Sequence, residues 1–260
     1  DASVGAYGGT LPNGNRFDMA LGGTITGNGH TLTKLGDALI GLRGPATDIS
    51  FDINAGTLRA EDSDLAFGST GVFVNGGATI DTWGNRALAV PVTFADGARL
   101  TSSSGTANWN GVMTLEGAVN MGGDANAIIN QAFAETGTGL FTKSGLGTLV
   151  LPVANTFDRK FNVTGTGILR IAADSSLGVA PSTPSADAIT LQQGGRIQGG
   201  NGTAGVDLTI DPNRGVTLAG GDGGFHAWTG FTINYAGLIT GSGNLAKTDS
   251  GVFNYTGTSN

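Results

Sequence analysis

Short runs of alternating apolar and polar residues recur along this chain, each cut off by Gly, Asn or Asp. Examples are Ile49-Ser50-Phe51-Asp52-Ile53, Val72-Phe73-Val74, Val92-Thr93-Phe94, Thr148-Leu149-Val150-Leu151, Ile168-Leu169-Arg170-Ile171 and Phe231-Thr232-Ile233. A period of two held over a few residues predicts a short strand with one buried face. Glycine between the runs supplies the tight corners. The pattern begins near Phe17, so residues 1–16 are expected to be an irregular N-terminal segment or first rung, and 17–260 one continuous body. Asp124 to Glu135 fits either a short amphipathic helix or two strands around a bend.

The runs are not independent. Gly137 to Gly178 reads GTGLFTKSGLGTLVLPVANTFDRKFNVTGTGILRIAADSSLG. Its opening, with Gly137, Gly139, Lys143, Gly145 and Gly147, returns around Gly27, Gly29 and Lys34, and again around Gly241, Gly243, Lys247 and Gly251. Its close returns from Gly56 to Gly68. The chain therefore reads as three partial copies of a unit of roughly 105–119 residues, too long for one structural layer and so a group of several.

Short strands with frequent glycine turns also suit a sandwich, a barrel or a propeller, but a closed sandwich is limited by its single core. A parallel β-helix grows by stacking rungs roughly 4.8 Å apart, and needs short strands, inward apolar residues, small corner residues and tolerance of loops. All four are present. At roughly twenty-odd residues per rung, the expected fold is an all-β parallel β-helix of about eleven or twelve rungs and a rod roughly 50 Å long.

Composition narrows this further. Only 13% of residues are charged, against roughly 25% in ordinary soluble proteins, and 47 of 260 are Gly. The 39% hydrophobic share is enough for a continuous core, which argues against a disordered tract. No apolar run is long enough to cross a bilayer. Cysteine is absent, which fits a chain that stays unfolded during export. The net charge of −7 leaves no basic patch for nucleic acid.

The string GxG-x-[L/F]-T-K-x-G-x-G-T-L-x-L, then A-N-T-[F/Y], then G-x-L-R and D-S-S-L-G, resembles the passenger-associated (autotransporter-associated β-strand) repeat of type V secreted proteins. Gly137 to Gly178 matches almost throughout. The first copy departs at Thr33-Lys34-Leu35-Gly36-Asp37, after which the second glycine is lost, and has Gly44-Pro45-Ala46-Thr47 in place of Ala-Asn-Thr. The third is one residue too long before Gly251 and has Val252-Phe253 for Thr-Leu. The resemblance implies a right-handed parallel β-helix exported to the outside or surface of a Gram-negative cell. It implies no particular activity.

Candidate chemistry is thin. Lys34, Lys143 and Lys247 recur at one motif position and read as rung-edge lysines whose stems cover apolar surface and whose charge discourages edge pairing. Glu61, Asp62 and Asp64 form the one acidic cluster, but Asp62-Ser63-Asp64-Leu65 aligns with Asp174-Ser175-Ser176-Leu177, a turn capping its own backbone. Asp158-Arg159-Lys160 reads as a solvated bend. His30 and His226 lack metal-ligand spacing and read as surface residues. Gly199 to Gly202 and Gly220 to Gly224 are not tandem, as calcium-binding nonapeptides must be, so neither metal nor cofactor is expected. Gly27-Asn28-Gly29 is read as a turn. Trp109 and Trp228 both precede an X-Gly pair; exposed they would make a sugar-stacking platform, inward they are packing residues, and repetition with the unit favours packing.

The expected function is a non-enzymatic structural or adhesive rod of a secreted or surface protein. The alternative is a filament subunit stacked end to end on other copies. A polysaccharide-acting enzyme would need several acids from adjacent rungs on one face. Partners are then a second copy, or a surface glycan or protein.

Overall fold

The computed structural model describes residues 1–8, 19–202 and 204–259. Every named strand pair in it is parallel, and each strand pairs with the corresponding strand of the turn before and after. The chain is a β-solenoid. Its longest sheet has eleven strands, one from each turn, running from Met19–Leu21 to Ile239–Gly241. A second face has eight strands, from Arg86–Leu88 to Asn244–Thr248. A third has seven, from Ala2–Gly5 to Ala134–Glu135, and resumes as a three-stranded sheet from Leu208–Ile210 to Val252–Tyr255.

The alternation seen in the sequence sets which side chains fill the core. Along the eleven-stranded sheet the inward column runs Ile40, Leu58, Ile80, Leu100, Met121, and later Val163, Leu191 and Leu218. The first seven of these are at most 1% exposed. Such a stack buries apolar area turn after turn without a core of growing width. Aromatic rings also gather inside the rod: Phe133, Phe141, Phe157 and Phe161 pack edge-on or tilted in one cluster, and Phe51, Phe67 and Trp109 form another.

Asp124 to Glu135 forms two strands, Asn126–Ile129 and Ala134–Glu135, because stacking on Thr106–Trp109 and Met113–Leu115 satisfies its backbone. Ala2–Gly5 is a strand paired with Leu32 to Leu35; the rest of the segment expected to be irregular lies largely outside the described residues. Gly27-Asn28-Gly29 is a bulge inside the long strand Ile25–Leu35, with a register shift between Thr26 and His30 and positive φ at Asn28 and Gly29, and not a turn between strands.

The repeat copies do not lie over one another. Lys34 belongs to the seven-stranded sheet, Lys143 to the eleven-stranded sheet and Lys247 to the eight-stranded sheet. Each copy thus starts one face further round the rod. Where the repeat continues with Pro152 to Lys160, and again from Ala172 to Pro184, no strand of the third face is formed. Asn155 and the 3₁₀ turn Asp174–Leu177 stand in its place.

Candidate binding surface

Two of the three motif lysines sit inside the rod, while Lys247, in the last turn, is exposed. Lys34 is 1% exposed and Lys143 is fully buried, because the register places Lys143 between Met121 and Val163 in the inward column. The rung-edge reading is corrected for Lys34 and Lys143, and in all three copies the ammonium turns to the corner that follows it. Lys143 Nζ donates to the Gly145 carbonyl at 2.9 Å. Lys34 Nζ donates to the Gly36 and Ala55 carbonyls at 2.6 and 2.8 Å, and Lys247 Nζ donates to the Asp249 carbonyl. Gly36, Gly145 and Asp249 all have positive φ, so the three corners share one conformation. Burial pushes the Lys143 ammonium down to about 8. A Cβ at Gly167 would come within 1.8 Å of Lys143 Nζ, so this glycine makes the room for the head group. At Gly137, Gly147 and Gly251 a Cβ would fall within 2.0 Å of the Glu116, Ala125 and Trp228 carbonyl oxygens. Gly27, Gly139, Gly241 and Gly243 are crowded in the same manner.

Arg159 overturns the solvated-bend reading. Its side chain is wholly buried and pairs with Glu135. It donates to the carbonyls of Gly117 and Gly137 at 2.6 Å each, reaching two turns down the rod. Lys160 beside it is exposed and pairs with Asp187 at 2.6 Å.

Trp109 and Trp228 occupy different environments. Trp109 is fully buried and stacks on Phe67 at 6.3 Å. Its column continues through Ile129, Leu151, Ile171 and Gly199 to Ala227, one residue short of Trp228. A one-residue offset turns a side chain to the other face. Trp228 is therefore half-buried outside the rod, with the Arg170 guanidinium 4.3 Å above its ring.

The acidic cluster divides. Asp64 accepts from the Ala87 amide at 3.1 Å, and Ser63 Oγ accepts from the Leu65 amide. Leu65 is exposed, while Phe67 fills the place that Leu177 fills in the later turn. His30 is exposed. His226 is half-buried beside Thr248, and burial lowers its pKa against the pull of Asp249. Among the described residues no three or more His, Cys, Asp or Glu are grouped to hold a metal ion, and no helix is long and apolar enough to cross a membrane.

Two outer features remain. The eleven-stranded sheet carries an uncharged column, Asn120, Thr142, Asn162, Thr190, Thr217 and Thr240, one residue per turn. Beside its earlier turns lies a charged furrow. Arg59 Nε donates to Asp81 Oδ2 at 2.6 Å. Asp81, 1% exposed, also accepts from Thr101 and Ser103 hydroxyls at 2.7 and 2.8 Å. One turn below, Arg43 Nε donates to Glu61 at 2.8 Å. Glu61 lies over Gly41, where a Cβ would come within 2.3 Å of its carboxylate. Trp83, in the turn above Glu61, is 49% exposed, with the Arg59 guanidinium 5.4 Å from its ring. The sequence signal for this site was the outward register of Arg59 and Asp81 in paired strands, which strand pairing had to reveal.

Comparison with known proteins gives a consistent picture. The chain is 29% identical over 247 residues to the adhesin BmaC autotransporter of Brucella suis biovar 1 (strain 1330), covering 94% of this chain and 6% of that protein. It is 31% identical over 207 residues to the deoxyribonuclease CdiA of Dickeya dadantii (strain 3937), covering 77% of this chain and again 6% of the relative. The chain thus spans about 6% of the length of these curated relatives. No family model matches, and no solved structure gives a significant match. Nearly the whole of this chain is similar to part of an autotransporter adhesin, and its parallel β-solenoid is consistent with an autotransporter passenger.

Proposed function

We propose that this chain is a segment of a non-enzymatic adhesive rod, displayed outside or on the surface of a Gram-negative cell. The observation that carries the reading is similarity to an autotransporter adhesin over 94% of the chain, in a fold whose stacked turns give length and a large outer face. The buried polar groups serve the stack: Lys34, Lys143, Asn155 and Arg159 all bond to backbone groups. The relative named as a deoxyribonuclease shares only 6% of its length with this chain, so that name describes the relative. The test is adhesion of beads coated with the purified chain to cultured cells. Retention above that of beads coated with an unrelated β-solenoid supports the reading, and equal retention contradicts it.

A second reading is a filament subunit. The strands Asn244–Thr248 and Val252–Tyr255 each pair on one side only among the described residues, and Leu245 and Val252 are exposed on them. Stacking on a second copy would cover both and extend the ladder head to tail. Electron microscopy of the purified chain separates the two: single rods favour the first reading, fibres with a subunit repeat the second. Release of reducing or unsaturated sugars from a glycan panel would instead point to an enzyme.

A further inference from the structure

We infer that the furrow around Trp83 is a binding site for a neutral oligosaccharide, with Trp83 as the stacking platform. This names a ligand class for the adhesive rod proposed above and rests on that reading.

The first observation is the ring itself. A tryptophan left half exposed on a mostly polar face costs apolar hydration that packing elsewhere would have avoided. Trp109, in the same protein, shows that the core accepts an indole. The second is the preorganised polar rim. Arg59 is held by the buried Asp81, itself fixed by Thr101 and Ser103, and Arg43 is held by Glu61, so a ligand meets guanidinium groups that need no reordering. Asp62, 66% exposed, and the 55% exposed Arg43 are left with free hydrogen-bonding capacity beside the indole.

The third observation is shape. A hollow of about 320 Å³ lined by Trp83, Arg43 and Glu61 shares Arg59 with one of about 360 Å³ lined by Asp81, Thr101 and Ser103. Together they cross four strands of the eleven-stranded sheet, a run of roughly 14 Å at the spacing of stacked strands. An extended chain of about three sugar rings fills such a run. The fourth is charge. The two hollows hold three arginines, Arg43, Arg59 and Arg99, against four carboxylates, Asp37, Glu61, Asp62 and Asp81. This near balance gives no net pull on an anion or a cation. Paired donors and acceptors beside an aromatic face suit a polyol, whose C–H face stacks while its hydroxyls both donate and accept.

The test is isothermal titration calorimetry of the full chain with cellotriose, mannotriose, triacetylchitotriose and trigalacturonate. At least one neutral trisaccharide should bind, and trigalacturonate should not. Trp83→Ala should weaken that binding about tenfold or more, Trp83→Phe should keep it within a few fold, and Asp62→Asn should weaken it less than Trp83→Ala. Because Trp83 is exposed, circular dichroism and melting of the variants should match the parent. The inference is overturned if no neutral member binds, if Trp83→Ala binds as the parent does, or if trigalacturonate binds best. The bead assay separates the two claims: beads that hold cells while no sugar binds overturn the sugar site alone. Beads that hold no cells while Trp83-dependent sugar binding persists support the site and overturn the adhesive reading.

Discussion

Asn155 Nδ2 donates to the Ser176 carbonyl at 2.8 Å, and its Oδ1 accepts from the Phe133 amide at 2.9 Å. One side chain thereby bridges the turn below and the turn above, where the third face has no strand of its own. A ladder supplies one acceptor and one donor per contact, and the asparagine amide supplies the same pair in the correct directions.

Removing that amide should be felt across three turns. Asn155→Ala is expected to cost about 2 kcal/mol, from two buried groups left without partners. It should also raise hydrogen exchange at the Phe133 amide. Asn155→Asp keeps the acceptor for Phe133 but turns a second acceptor on the Ser176 carbonyl, so it should cost more than Ala at neutral pH and less once acid protonates the carboxyl. Denaturant titration of the three proteins checks the order.

Arg159 should be the most sensitive charged position. Arg159→Met leaves Glu135 and the Gly117 and Gly137 carbonyls without their donor. Stripping one member from a buried ionic network costs about 3–5 kcal/mol. Lys160→Met, one residue on and exposed, should change stability by less than about 1 kcal/mol. Chemical denaturation of both variants reads the contrast directly.

Lys143 makes a pH prediction with a definite sign. Its folded pKa is about 8, against 10.5 for an ordinary lysine. Between these values the unfolded chain holds the extra proton, so this group makes the fold more stable as pH rises from about 8 to 10.5. Below about 8 both states are protonated and the full cost of burying the charge remains, roughly 3 kcal/mol. Lys143→Met should therefore be at least as stable as the parent at pH 7, and its advantage should shrink by pH 10. An advantage that stays constant across that range would show that burial of charge is not the cause.

The rungs were legible because period-two alternation is imposed locally: Val72-Phe73-Val74 and Val92-Thr93-Phe94 must each show one apolar side, whatever lies above. The copies of the repeat were legible for the same reason. What they share is a corner, a lysine followed two residues later by a positive-φ residue, at Gly36, Gly145 and Asp249. Which face each corner occupies depends on the residues accumulated in intervening loops, and that is a sum the local pattern does not display. Arg159 was misread because polarity predicts solvent only where no buried carbonyls need a donor. Trp228 parts from Trp109 through a single-residue offset, which leaves the text nearly unchanged and reverses the side chain. The Trp83 furrow joins residues from four turns, so only the stacking register brings Arg43, Glu61, Trp83 and Asp81 together.

The central claim is that turns rise in parallel register along one axis. The chain has no cysteine, so spin labels can be placed on engineered pairs along the outward column. Pulsed electron resonance distances from Asn120 to Thr190, to Thr217 and to Thr240 should grow by about 4.8 Å per turn, from roughly 14 to roughly 24 Å before allowance for the label arms. Distances that fail to lengthen in that order, or that stay equal across the three pairs, would contradict the stacked solenoid.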